Sequence, residues 1–113
     1  MTREDFEEAI KESLKKLPKI LRDKLVNVEF VIEDKPIPQK NLLGLYQGVP
    51  LKKRGFWYGN VLPDKITLFK YNIENLTKND DETKRLIYEV LLHEIGHYFG
   101  FDETELQDMA SHK

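Results

Sequence analysis

A chain of 113 residues accommodates one domain and leaves no length for a second, so residues 1–113 are read as a single unit. Hydrophobic residues at 40% suffice for a core, while a formal net charge of -2 offers no basic footprint for nucleic acid. The chain has no cysteine, which excludes disulfides and thiolate metal sites, and no apolar run reaches the roughly 20 residues that span a bilayer. Met1-Thr2-Arg3-Glu4-Asp5 lacks the basic-then-apolar build of a signal peptide, and the expected location is the cytoplasm.

Thr2, with Asp5 three residues on, has the form of a helix N-cap. Phe6, Ala9, Ile10, Ser13, Leu14 and Leu17 then recur at helical spacing, which predicts an amphipathic helix that covers a sheet and does no chemistry. Pro18 interrupts it and opens a short continuation over 19–25. Val26, Val28, Phe30 and Ile32 alternate with Asn27, Glu29, Val31 and Glu33, the pattern of a strand with one face in the core. Residues 34–39 are a loop carrying two prolines.

A second strand is predicted over Leu42 to Gln47, ended by Gly48 and Pro50. Gly44 weakens it unless another backbone or a ligand must approach closely. Leu51 to Gly55 is basic and flexible. Phe56-Trp57-Tyr58-Gly59 reads as core or hairpin packing, with the lining of a binding cleft as the alternative. Pro63-Asp64 marks a turn before a third strand over Lys65 to Lys70, and Tyr71 to Lys78 reads as a loop with a helical turn.

Asn79, Asp80, Asp81 and Glu82 offer cap candidates and negative charge for the start of a helix. That helix is apolar nearly all round: Leu86 and Val90 share a side with the histidines, Ile87, Leu91 and Tyr98 form a second, and Leu92 and Ile95 a third. Such a helix is expected in the middle of its domain. Gly96 costs roughly 1 kcal/mol relative to Ala inside a helix, so a close neighbour is its expected reason. Glu105 to Ala110 adds a last short turn, and Ser111-His112-Lys113 is a loose tail.

The chemistry-bearing stretch is His93-Glu94-Ile95-Gly96-His97, an H-E-x-x-H pentad. Residues four apart on a helix share a side, so His93 and His97 can present both imidazoles to one metal ion. Glu94, one step round, stands beside that ion, placed to take a proton from water. A histidine pair alone is as often core packing as a ligand pair. Glu94, together with Gly100 and the acids that follow it, favours a metal. A left-handed glycine at 100 would reverse the chain and bring a carboxylate, Asp102 or Glu103, back toward the histidines. Two histidines and one carboxylate suit an open, catalytic site better than a closed structural one.

The sequence H-E-I-G-H-Y-F-G-F-D-E resembles the motif of the minimal zincins, small bacterial and archaeal zinc metallopeptidases. The resemblance extends to Leu17-Pro18, to Leu42-Leu43-Gly44-Leu45-Tyr46-Gln47-Gly48-Val49-Pro50 and to Leu62-Pro63-Asp64-Lys65-Ile66-Thr67, nearly the whole chain. It implies an α+β fold in which a small mixed sheet packs against an N-terminal helix and a buried H-E-x-x-H helix. It implies one zinc ion per chain, with His93 and His97 as ligands and Glu94 as general base. The family motif ends in Asp as third ligand; this chain has Glu103 there and Asp102 one residue early. Glutamate can still reach zinc at about 2.0–2.2 Å, which assigns the ligand to Glu103. The resemblance further implies an extended peptide or protein substrate laid against a sheet edge, either Leu42 to Gln47 or Ile66 to Phe69.

The reading is therefore a zinc-dependent peptidase, with no nucleic-acid or membrane partner. The alternatives are a metal-dependent hydrolase of another class, such as an endoribonuclease, and a metal-binding module without catalysis. Single-zinc endoribonucleases have glycine where this chain has Glu94, and its acidic balance disfavours RNA.

Overall fold

The structure, a computed structural model, describes residues 1–36, 40–49 and 63–106. Helix α1 (Arg3–Lys15) begins where Thr2 Oγ1 accepts the Asp5 N–H at 3.0 Å, with Glu4 and Asp5 at its positive end. Its inward stripe is Phe6, Ala9, Ile10 and Ser13. Helix α2 (Lys19–Arg22) follows Pro18 and stops short of the predicted residue 25. The chain there tightens into three-residue bonds, Lys24 N–H to the Leu21 carbonyl and Leu25 N–H to that of Arg22.

Strand β1 (Val28–Glu33) starts two residues later than the alternation predicts. Asn27 has φ of 59°, the left-handed region that asparagine tolerates, so the chain turns there and Val26 remains 64% exposed. Strand β2 (Gly44–Gln47) also starts late. The carbonyls of Lys40 and Leu42 are held by Asn72 Nδ2, at 3.0 and 2.8 Å, in place of a strand ladder. Strand β3 (Asp64–Phe69) passes directly into helix α3 (Lys70–Glu74), which claims Lys70 from the predicted strand.

The sheet is mixed, in the order β1-β3-β2. Strand β3 runs parallel to β1, with Phe30 opposite Ile66, and antiparallel to β2, with Tyr46 also opposite Ile66. Ile66, Thr67, Leu68 and Phe69 are all buried, as a central strand requires. This corrects one expectation: Ile66 to Phe69 is not a sheet edge. Among the described residues the edge facing the histidine helix is β2.

Helix α4 (Asp80–Phe99) packs on β2 and β3 and is covered by α1 on another side. Phe6, Ile32, Ile66, Ile73, Ile87 and Leu91 meet in one core, each burial worth about 1.5–3 kcal/mol. The α+β fold expected from the sequence is the one observed, with one difference in detail. Helix α4 is not enclosed all round: Leu92, Lys84, Arg85 and Glu89 face outward. Among the described residues no helix is long and apolar enough to cross a membrane.

Candidate metal centre

Helix α4 is fixed at both ends by its own sequence. Asn79 Oδ1 accepts the Glu82 N–H at 2.9 Å, and the Glu82 carboxylate returns to the Lys78 N–H at 3.3 Å. At the other end Gly100 adopts φ of 104°. The Gly100 N–H donates to the His97 carbonyl at 2.9 Å and the Phe101 N–H to the Gly96 carbonyl at 3.0 Å, a Schellman reversal. The reversal carries residues 101–103 back over the last two turns of the helix, where both histidines stand.

The Nε2 atoms of His93 and His97 lie 2.9 and 2.7 Å from the same oxygen, Glu103 Oε1. The ligand atoms of the three residues lie within 4.8 Å of one another, close enough to hold a metal ion. The imidazole rings meet edge to face, with centroids 4.9 Å apart. His97 Nδ1 lies 3.0 Å from the Phe101 carbonyl oxygen, which can only accept, so Nδ1 carries the hydrogen. Nε2, the atom aimed at Glu103, is then the one that would bind a metal, giving up any hydrogen it shares with the carboxylate. Two imidazole nitrogens and one carboxylate oxygen are a donor set that fits zinc and leaves a coordination position open.

Asp102 turns the other way. Its Oδ1 accepts the Glu105 N–H at 2.8 Å, and Glu105 Oε1 accepts the Asp102 N–H at 3.2 Å, a capping box for the helical turn at 103–106. Of the two candidate carboxylates, the one beside the imidazoles is Glu103. The imidazole hydrogen bonds, His93 first and then His97, hold its carboxyl below the usual range.

A family model for zincin-like metallopeptidases matches residues 25–112. The chain belongs to this family. Among solved structures, a conserved hypothetical protein from Thermus thermophilus is similar in fold, with a TM-score of 0.60 over 99% of this chain and 100% of that one at 23% identity. No curated protein matches the chain. The zincin match takes in the whole sheet, α4 and the returning turn, and leaves out α1. The family implies zinc and peptide or protein substrates.

In this zincin-like chain Glu94 is 8% exposed and lies on α4 next to His93, against Gly44 and Tyr46 of β2. Burial pushes its carboxyl up; His93 and His97 oppose this, Glu103 adds to it, and the Tyr46 N–H bonded to the carboxylate lowers it without reversing the rise. The site opens on a cleft of about 800 Å³, walled by Leu43, Leu45, Val90 and Phe101. Among the described residues lining it there is no Lys or Arg.

Two participants escape a reading of side chains, the Tyr46 N–H on Glu94 and the Phe101 carbonyl on His97. Both are backbone groups, and the sequence signals near them are glycines: Gly44, whose small size lets β2 approach the helix, and Gly100, whose left-handed turn brings the Phe101 carbonyl back to His97. The basic stretch Leu51 to Gly55, the aromatic cluster Phe56 to Gly59, and His112 lie outside the described residues. So does the predicted last turn beyond Leu106; the helical turn itself begins at residue 103.

Proposed function

We propose that this zincin-like protein is a zinc-dependent peptidase, with residues 1–113 forming one domain that acts on peptide or protein substrates in the cytoplasm. His93, His97 and Glu103 hold one zinc ion per chain, and Glu94 is the general base. The observation that carries the reading is the convergence of two Nε2 atoms on one Glu103 oxygen beside a buried carboxylate.

Bound zinc supplies Lewis acidity, lowering the pKa of water and polarising a carbonyl. Glu94, made more basic by burial, accepts a proton from the attacking water and delivers it to the departing amine nitrogen. The Tyr46 N–H orients the Glu94 carboxylate, and the Phe101 carbonyl holds the His97 ring. An extended substrate lies along β2, the sheet edge that faces the histidine helix, with apolar side chains against Leu43, Leu45 and Val90. A phosphodiester substrate suits the cleft less well, since the described lining offers no Lys or Arg to meet its phosphates.

The test is incubation of the zinc-loaded protein with a mixture of unfolded proteins, followed by mass spectrometry of the products. New peptide termini are expected from the unmutated protein and none from Glu94→Gln, which keeps the metal but cannot take the proton. Intact substrates in both reactions would overturn the peptidase reading.

A further inference from the structure

Glu103 reaches the imidazoles from outside α4, and its side chain is 61% exposed. Its own burial does not fix it. The segment that carries it is instead anchored on both sides by one residue of the helix, Gly96. Before Glu103, the Phe101 N–H donates to the Gly96 carbonyl at 3.0 Å. After Glu103, the Leu106 side chain folds back onto α4, and Leu106 Cδ2 occupies the space in which a Cβ on Gly96 would stand. Between the anchors the turn is held in shape by the Asp102–Glu105 pair and by the Leu106 N–H, which donates to the Asp102 carbonyl at 3.0 Å.

We infer that Gly96 and Leu106 are positioning residues for the metal: the leucine seats the 103–106 turn on the glycine and so keeps Glu103 Oε1 between the two Nε2 atoms. The inference rests on the reading of Glu103 as third ligand. A carboxylate on a free turn would lose conformational freedom each time it closed on an ion, whereas the docked turn has lost it already on folding. Alanine is the better helix former at position 96, yet its methyl group would meet Leu106 Cδ2, so the leucine must shift where it rests on the helix. Gly96→Ala should therefore leave α4 folded and still weaken the site. A residue serving only the helix would show no such split.

The test is zinc affinity, measured on the full chain by competition with a chromophoric chelator, with thermal melting of the metal-free protein as the check on folding. Leu106→Ala and Gly96→Ala are expected to weaken zinc binding by about 10–100-fold, the range for supporting groups around a metal. In a Glu103→Ala background, Leu106→Ala should add less than about twofold, because its effect passes through Glu103. Glu103→Ala weakened with Leu106→Ala unchanged would overturn the positioning role and leave the ligand reading intact. An undiminished effect of Leu106→Ala in the Glu103→Ala background would overturn it as well. Unchanged affinity in Glu103→Ala would remove the ligand reading, and the inference with it.

Discussion

Glu94 places a carboxylate inside the molecule, and that placement has a measurable cost. Burial raises its folded pKa above the unfolded value, so the native state binds the proton more tightly. Native stability is then lost as pH rises from the unfolded value through the folded one. Glu94→Gln removes the titration. The metal-free variant is expected to be more stable than the unmutated protein at about pH 7, with the difference shrinking toward about pH 4. Thermal melts across that range check this, and a difference independent of pH would assign the effect to packing instead. At this scale the sequence was informative where side chains carry the chemistry. The spacing of His93 and His97 and the left-handed demand at Gly100 were legible. The choice between Asp102 and Glu103 was not decided by the chain's own geometry, because it depends on the path of the reversal. Asp102 caps the next turn, leaving the following residue to face the two imidazoles.

Among elements, the contact that matters most is β2 against α4. A Cβ at Gly44 would stand 2.7 Å from Val90 Cγ1, 3.1 Å from Glu94 Cγ and 3.3 Å from the Thr67 carbonyl oxygen. The glycine that looks like a defect in the strand is what lets the edge reach Glu94 with its Tyr46 N–H. Gly44→Ala is expected to destabilise the fold by about 1–3 kcal/mol, the usual cost of overpacking, read as a lower midpoint in urea. An unchanged midpoint would show that the interface yields freely. Hydrophobic period found all the longer elements, while their ends were set by features it does not register. Asn27 turns the chain before β1, and Asn72 holds the carbonyls of Lys40 and Leu42 before β2. The short helix α3 (Lys70–Glu74) is the helical turn read within Tyr71 to Lys78, too brief for periodicity to fix its bounds.

At the scale of the molecule, a mixed three-stranded sheet and one helix of 20 residues bring the functional groups together. Tyr98, fully buried on α4, donates to the carbonyls of Lys24 and Val26 at 3.2 and 3.1 Å and meets Tyr46 edge to face at 6.1 Å. Tyr46 in turn donates to Asp64 Oδ2 at 2.6 Å. The helix that bears the histidines is thus tied to the turn before β1, to β2 and to β3. The α+β class was legible because helical period comes first, a run of strands follows and helical period returns; the central place of β3 was not, since strand order is a property of tertiary pairing. The claim on which the function rests is that His93, His97 and Glu103 hold one zinc ion. Anomalous diffraction at the zinc edge, from crystals grown with one equivalent of zinc, tests it most directly. One peak per chain is expected, about 2.0–2.2 Å from His93 Nε2, His97 Nε2 and a Glu103 carboxylate oxygen. A peak coordinated by Asp102 with Glu103 turned to solvent, or no peak between the histidines, would contradict it.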